Sequence, residues 1–329
     1  MFVRPDFYDE FICKASDCTD TCCAGWEIDI DADTLEMYRN VKSDFSDKLT
    51  AGIDVNLAGQ SVFRLKKNGR CFFLCNNGLC EIYSNLGKDA LCDICREHPR
   101  FYNFYPDTTE VGLGLCCEKV CELLFRDKYN FSLLVDGETS DSDYKEMSEI
   151  RDNCFKLIYD GNDFLLTIRS LSDYVSSMND YYSECSYNQK EILNKYRLFS
   201  EIADLFSETE PINSDWTEYV KAIKSNINRI VIISDEYIFD DNEYKNLLSY
   251  TLYRHFVESA YNYTMLHGLS FSLASLIFIH ICDCYAVIKS GKFKYSDRID
   301  NVKLWSKQIE YSEDNTCIIY EKAISLLFD

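Results

Sequence analysis

The sequence predicts a mainly α-helical protein in which a cysteine-rich α+β domain, residues 1–125, precedes a helical bundle, residues 126–329. Two observations predict this fold class. Twelve of the seventeen cysteines lie in the first 121 residues, among short apolar runs and turn residues. From about residue 140, apolar side chains recur at three- and four-residue spacing in one segment after another. That spacing is the period of amphipathic helices.

The cysteine-rich domain is expected to contain a small β-meander. Two apolar runs, 61–67 and 71–74, flank Asn68-Gly69, the strongest short signal for a β-hairpin. A second turn at 76–78 leads into a further short strand. The meander would present Cys71 and Cys80 near its turns.

Polar residues mark where the helices begin. Asp31 or Asp33 can cap the first helix, because a short acidic side chain accepts hydrogen bonds from the free N–H groups of a helix start. The helices of the C-terminal bundle are predicted at 143–159, 163–178, 188–206, 216–228, 243–261, 270–289 and 316–328.

The segment 269–288 is long enough to span a membrane, but it contains three serines, His280 and Asp283. We therefore predict a buried central helix and no membrane association. His280 and Asp283 are three residues apart and share a helix face, which favours a core hydrogen bond over a catalytic pair.

The density of cysteines requires either disulfides or a metal. The N-terminus lacks the basic start and apolar run of a secretory signal, and an odd number of cysteines cannot all pair. A chain of 329 residues can also bury a core without disulfides. The sequence therefore predicts a thiolate-bound metal centre in a reducing cytoplasm.

The spacing of the cysteines favours iron–sulfur over zinc. Structural zinc sites usually show two closely spaced ligand pairs, and only Cys92 and Cys95 have the C-x2-C spacing here. Iron–sulfur clusters take thiolates from irregularly spaced loops. Zinc stays open as the alternative.

The charge of the chain restricts its partners. Asp and Glu total 55 against 34 Lys and Arg, a net charge of −21. Nucleic-acid binding needs a basic surface, so no nucleic-acid partner is expected. An acidic surface is compatible with a lysine-bearing protein partner.

The cysteines and the residues beside them form a sequence pattern, which we call the frame. The frame consists of Phe11-Ile12-Cys13, Cys18 to Cys22-Cys23-Ala24-Gly25-Trp26, Cys71-Phe72-Phe73-Leu74, Gly78-Leu79-Cys80-Glu81-Ile82, Cys95-Arg96-Glu97-His98-Pro99-Arg100 and Leu115-Cys116-Cys117-Glu118. This frame resembles the flagellin lysine-N-methylase (FliB-like) family, bacterial proteins that methylate lysine side chains of flagellin. Segments 246–256 and 305–315 look similar too.

The resemblance implies lysine N-methylation of flagellin, with S-adenosyl-L-methionine as methyl donor and a bound 4Fe-4S cluster. The cysteines on the family pattern are the expected metal ligands: Cys13, Cys18, Cys22, Cys23, Cys71, Cys80, Cys95 and Cys116. One cluster takes four thiolates at most. Our first choice is Cys22, Cys80, Cys95 and Cys116, and the others would pack, relay or bind a second metal. Cys185 and Cys317 are expected to be dispensable.

This chain departs from the family pattern at Cys117, where the family has proline, and carries extra thiols at Cys75, Cys92 and Cys121.

Trp26, Arg100 and Glu118 accompany the cysteines in the frame and are predicted to contact S-adenosylmethionine. Each also has a structural alternative: core packing for Trp26, an ion pair for Arg100 and a helix cap for Glu118.

The run Glu110-Val111-Gly112-Leu113-Gly114 is glycine-rich, but it lacks the strand–loop–helix context of a dinucleotide-type site. The alternative function is a non-catalytic iron- or zinc-binding protein, such as a metal carrier or redox sensor. The sequence does not predict an oligomeric state.

Overall fold

The structure is a computed structural model that describes residues 1–19, 21–161, 164–182 and 194–328. It is 61% helix and 11% strand, with fourteen α-helices and six strands in the described ranges, which confirms the mainly helical class. The strands are β1 Phe2–Pro5, β2 Ile53–Val55, β3 Ser61–Phe63, β4 Arg100–Tyr105, β5 Thr108–Leu113 and β6 Leu133–Asp136. The helices are α1 Ala32–Asn40, α2 Ser46–Ala51, α3 Glu81–Leu86, α4 Asp93–Glu97, α5 Glu118–Leu124, α6 Ser142–Asp160, α7 Phe164–Tyr182, α8 Lys195–Ser207, α9 Ser214–Ser225, α10 Ile227–Glu236, α11 Asp241–Asn262, α12 Met265–Ser290, α13 Tyr295–Gln308 and α14 Glu313–Leu327.

The chain divides into two compact units. The cysteine-rich unit comprises Ile12–Arg100 and Cys117–Lys119, and the helical unit comprises Met1–Phe11, Phe101–Cys116 and Val120–Asp329. The predicted division at residue 125 follows the last of the clustered cysteines. The units instead follow strand pairing, because β1 at the N-terminus pairs with β5 and β6 and so belongs with the helices.

Local signals place the elements of the cysteine-rich unit. The Asp31 side chain accepts a hydrogen bond from the Thr34 N–H at 2.8 Å and caps α1, as predicted. The two predicted turns form at Gly69 and Gly78, whose φ values of +72° and +81° favour glycine.

The strands of the predicted meander are shorter than expected. β2 and β3 pair antiparallel, and the rest of the meander consists of isolated bridges, Leu65 to Cys71 and Leu74 to Cys80.

A four-stranded sheet, in the order β4-β5-β1-β6, accompanies the helices of the helical unit. β1 runs parallel to β5 and antiparallel to β6. The sequence did not predict this sheet or helix α13. The predicted helix 216–228 is two helices, α9 and α10, which meet at Asn226. The predicted helix 188–206 is observed from Lys195 onward, and its residues before 194 lie outside the described ranges.

Helix α12 is the central helix of the helical unit. It is long and apolar enough to cross a membrane, but 78% of its apolar window is buried inside the unit, where it packs against α11, α14, α10 and α13. The predicted buried helix is confirmed.

The His280–Asp283 pair of α12 belongs to a buried hydrogen-bond network. The Tyr244 hydroxyl donates to Asp283 Oδ2 at 2.7 Å and lies 2.9 Å from His280 Nδ1. Arg298 Nη1 contacts the same carboxylate at 2.5 Å. All polar atoms of the pair are thus used in core contacts, as the sequence predicted.

Candidate metal centre

No disulfide joins the cysteines in the described part of the chain. A cluster of thiols without disulfides needs another reason to be gathered in one small unit. Ten cysteines lie in the cysteine-rich unit. Nine of them form two neighbouring sets, and the tenth, Cys75, is influenced by partial burial and by Glu81.

The first set, which we call the core thiols, belongs to the apolar core of the cysteine-rich unit. Cys71 and Cys92 are buried, and Cys23, Cys80 and Cys95 are partly buried against the same core. The core around them is formed by Ile28, Ile30, Tyr38, Phe63, Phe73, Leu74 and Ile82. Five thiols therefore face one largely dry environment.

Backbone pairing brings the core thiols together. The Cys71 N–H donates to the Cys23 carbonyl at 2.8 Å, and the Leu74–Cys80 bridge returns the chain from the second turn. Cys80 and Cys92 directly precede α3 and α4, and Cys95 lies one turn into α4.

Backbone N–H groups are directed at these sulfurs. Against the larger effect of burial, the N–H of Phe73 lowers the pKa of the Cys71 thiol, and the N–H groups of Tyr83 and Ile82 lower that of the Cys80 thiol. Such N–H···S bonds are typical of the surroundings of iron–sulfur clusters and of metal-bound thiolates.

Without a metal, the core thiols oppose one another's ionisation. Burial raises the pKa of Cys71 to about 11 and also raises the pKa of Cys80. The hydrogen bond between Cys95 and Cys92 lowers the pKa of Cys92 and raises that of Cys95. A cation bound among these sulfurs would favour the thiolates and reverse the trend.

The second set, the loop thiols, is held by Glu118. Lys14 Nζ lies 2.5 Å from Glu118 Oε1, and the Thr19 N–H and hydroxyl both donate to Glu118 Oε2, the N–H at 3.0 Å. These contacts fasten the loop that carries Cys13 and Cys18 beside Cys117. The four loop thiols are Cys13, Cys18, Cys22 and Cys117.

The loop thiols influence one another's protonation. Burial, together with Cys117 nearby, raises the pKa of Cys18 to about 11. Cys22 donates a hydrogen bond to its neighbour Cys23, which lowers the pKa of Cys23 to about 7. The two sets therefore adjoin at the Cys22–Cys23 peptide.

The structure brings only part of the first-choice ligand set together. Cys80 and Cys95 belong to the core thiols, as does Cys23, which is not in the first-choice set. Cys22 belongs to the loop thiols. Cys116 is buried in the helical unit, with its sulfur 3.9 Å from the Gly114 carbonyl oxygen.

Sequence reasoning passed over Cys92 and Cys117 because they depart from the family frame. The C-x2-C spacing of Cys92 and Cys95 was a signal that could have identified the first of them.

The three residues predicted to contact S-adenosylmethionine lie in different surroundings. The Trp26 ring packs against the core, 5.9 Å from the His98 ring centroid. Arg100 is half-buried at the start of β4. Glu118 is 7% exposed and engaged with Lys14 and Thr19. Their contacts with a methyl donor stay predictions.

The glycine-rich run lies in and just after β5, and not in a loop before a helix. A Cβ on Gly112 would collide with the Phe101 ring. Glu110 is buried against Arg151 Nη1 and the Tyr144 hydroxyl, each at 2.6 Å. These residues serve the core of the helical unit.

The thiols fit a metal by their chemistry, although their side chains are not arranged around one point. Among the described residues, no three His, Cys, Asp or Glu side chains form a ready metal site. Soft sulfur donors select zinc, Cu(I) and iron–sulfur clusters.

Comparison with known proteins identifies the family. A stretch of 137 aligned residues, 38% of this chain, is 30% identical to the flagellar biosynthetic protein FliU of Salmonella muenchen and covers 76% of it. Alignments of the same length are 30% and 29% identical to lysine-N-methylases of Salmonella choleraesuis and Salmonella typhimurium. This chain belongs to the FliB-like lysine-N-methylase family. The alignment covers 32% of each of these two lysine-N-methylases. No family model matches the chain, and no solved structure matches it.

Proposed function

We propose that this protein transfers methyl groups from S-adenosylmethionine to lysine side chains of flagellin and holds a 4Fe-4S cluster at the core thiols. The observation that carries the proposal is the similarity to proteins named lysine-N-methylase. The similarity to FliU, a flagellar biosynthetic protein, supports flagellin as the substrate.

The cluster would be held by four of the five core thiols, with Cys23, Cys71, Cys80 and Cys95 as the first choice. All four lie on the family pattern and all pack against one core. If only three of these thiols bind the cluster, the fourth iron would have an open position that could chelate the amino and carboxyl groups of the methyl donor; with four thiolates every iron is saturated and the cluster would be structural or would transfer electrons. Burial of the sulfurs limits solvent access, which is one determinant of cluster potential.

A cleft beside the core thiols suits the methyl acceptor. It measures about 390 Å³ and includes Asp93 and Ile94, which separate Cys92 from Cys95 in α4. Its remaining principal lining residues are Asp29, Ile30, Asp31 and Leu35. Ile94 is 49% exposed, an apolar surface for the stem of a lysine.

The cleft can do two things for a lysine. Its carboxylates attract the ammonium group, whose usual pKa is about 10.4. Because these carboxylates also favour the charged form, methyl transfer, which needs the neutral amine, would require one of them to accept the ammonium proton. Asp31 is engaged with the N–H groups of Thr34 and Asp93, so its position in the rim is fixed.

The test is anaerobic incubation of the full chain with S-adenosylmethionine and flagellin from the same organism, followed by mass spectrometry of lysine peptides. Wild-type protein should add methyl masses, and Cys95→Ser should lose both iron and methyl transfer. Cys317→Ser, an exposed thiol of the helical unit, is the matched control and should keep both. Cys185 lies outside the described residues.

Two results would contradict the proposal. Iron-bearing wild-type protein that leaves flagellin unmodified would contradict the methylase function. Iron-free protein that carries zinc and transfers no methyl group would favour the non-catalytic alternative. Cys116→Ser separates the two ligand assignments, because it should keep its iron if the core thiols alone hold the cluster.

A further inference from the structure

We propose that an exposed surface of the helical unit binds an extended, lysine-bearing segment of a partner protein. This surface, which we call the aromatic–acidic surface, combines exposed rings and carboxylates from strand β4, the turn after it and the helices beside it: Tyr102, Phe104, Asp107, Asp141, Glu258 and Tyr261. It includes no cysteine and none of the residues that line the cleft beside the core thiols. The inference does not rest on the methylase function.

Strand β4 provides an unpaired sheet edge. It is an end strand of the four-stranded sheet, and in the part of the chain that the structure describes it has β5 as its one neighbour in the sheet. Its sequence contains no lysine or proline, the residues that often prevent unwanted pairing at a sheet edge. An edge of this kind can accept an extended segment through main-chain hydrogen bonds.

One face of β4 is fixed against helix α11. The Asn103 side-chain amide donates to the Arg254 carbonyl oxygen at 3.0 Å. The Tyr105 ring lies 5.3 Å from the Tyr261 ring, measured between centroids. Because alternate side chains of a strand point to opposite faces, these contacts leave the intervening side chains on the outer face.

The outer face of β4 exposes two aromatic rings. Tyr102 is 40% exposed and Phe104 is 76% exposed. Their rings are stacked, with centroids 6.0 Å apart and planes at 8°. Exposed apolar side chains on a strand edge promote association, so a partner is expected to cover them. Ring faces attract ammonium groups and also pack against the apolar stem of a lysine.

Carboxylates lie at the end of β4 that contacts Tyr261. The Tyr261 hydroxyl donates to Asp141 Oδ2 at 3.2 Å. The charged groups that act most strongly on this hydroxyl are Asp141, Asp143 and Asp107, and all three raise the pKa of Tyr261. The Asp107 carboxylate is held by the N–H and hydroxyl of Ser140, each at 2.6 Å. Negative charge is therefore fixed beside the exposed rings.

Glu258 extends the negative charge along α11. It is exposed, and it raises the pKa of Tyr105, Tyr263 and Tyr320. Together, the rings and carboxylates complement lysine side chains, which combine an apolar stem with an ammonium group. A second copy of this chain would bring the same carboxylates to the contact and would be repelled. Charge complementarity therefore favours a basic partner over self-association.

The test is fluorescence anisotropy of the full chain with a labelled synthetic peptide of alternating lysine and threonine, in the absence of methyl donor. Wild-type protein should bind this peptide and not its counterpart with glutamate in place of lysine. Phe104→Ala should weaken binding about fivefold, because it removes an exposed ring. Glu258→Gln should weaken it about twofold at low salt. A lysine peptide with methylated backbone nitrogens cannot pair with a strand edge and should bind more weakly.

Two substitutions outside the aromatic–acidic surface are matched controls. Ile238→Ala removes an apolar side chain that is 93% exposed, and Glu236→Gln removes an exposed carboxylate. Both should bind the lysine peptide like wild type, with circular dichroism showing that every variant keeps its helices.

Three results would overturn the proposal. The first is wild-type protein that does not bind the lysine peptide. The second is equal binding by wild type and Phe104→Ala, or an equal loss in the two control variants, which would mean that the peptide binds anywhere on an acidic chain. The third is a wild-type dimer that Phe104→Ala converts to a monomer in light scattering, because a second copy would then cover β4.

Discussion

The anchor of the loop thiols can be removed without touching a cysteine. Glu118 is 7% exposed and accepts hydrogen bonds from Lys14 and from the N–H and hydroxyl of Thr19. A hydrogen bond to a charged group contributes about 1.5–3 kcal/mol when it is shielded from water. Counting two of these bonds at about 1.5 kcal/mol each, Glu118→Ala should destabilise the anchored loop by about 3 kcal/mol. That corresponds to about a hundredfold in the opening equilibrium.

Hydrogen exchange at the Thr19 amide measures this opening. In chelator-treated protein, where no metal restrains the loop, the amide should exchange about a hundredfold faster in Glu118→Ala than in wild type. Glu118→Gln keeps an acceptor and should show a smaller increase. Asp54→Asn, which breaks an exposed pair with Arg64 in the same unit, is the matched control and should leave the Thr19 amide unchanged.

An unchanged Thr19 exchange rate in a folded Glu118→Ala protein would refute this account of the loop. It would mean that the contacts of the Glu118 carboxylate do not stabilise the loop. Glu118 would then not hold Cys13 and Cys18 near Cys117. Faster exchange throughout the cysteine-rich unit would instead assign Glu118 to the stability of the whole unit.

Two further predictions concern the helical unit. Burial lowers the pKa of His280 to about 3, against 6.5 when unfolded, so the unfolded state alone takes up a proton below pH 6.5. The free energy of unfolding should therefore fall by about 2 kcal/mol more between pH 7 and pH 5 in wild type than in His280→Gln. Equal losses of stability in the two proteins, measured by urea denaturation, would contradict this. Arg151→Met leaves the Glu110 carboxylate buried without its cation and should destabilise the unit by about 3–5 kcal/mol. Adding Glu110→Gln should restore most of that loss in thermal unfolding, and a double variant as unstable as Arg151→Met would argue against a charge effect.

The helices were predictable because their signals are local. Apolar periodicity predicted most helices of the bundle, and single residues such as Asp31 and Gly69 predicted a helix cap and a turn. The four-stranded sheet was not predictable in this way, because β1 pairs with β5 across more than a hundred residues, with Phe2 opposite Thr109. Helix α13 was not predicted for another reason. Its buried face includes Arg298 and Lys303, so it does not read as an apolar stripe.

The candidate site was predictable in composition but not in arrangement. The frame of neighbouring residues identified most of the thiols, yet spacing alone cannot distinguish the two adjacent cysteines. The side chains of Cys22 and Cys23 contact each other, yet only Cys23 packs against the core. Cys23 is joined to Cys71 by a backbone hydrogen bond next to the isolated Ala24–Arg70 bridge, and that contact is long-range.

The two sets of thiols differ in their exposure to solvent. The core thiols lie in an apolar core, where N–H···S bonds and restricted solvent access influence the potential of an iron–sulfur cluster. The loop thiols include the exposed Cys13 and Cys22, where solvent would reach a bound cluster. The distribution of burial over the nine thiols is therefore a physical reason to propose the core set, and not the loop set, as the place of the cluster.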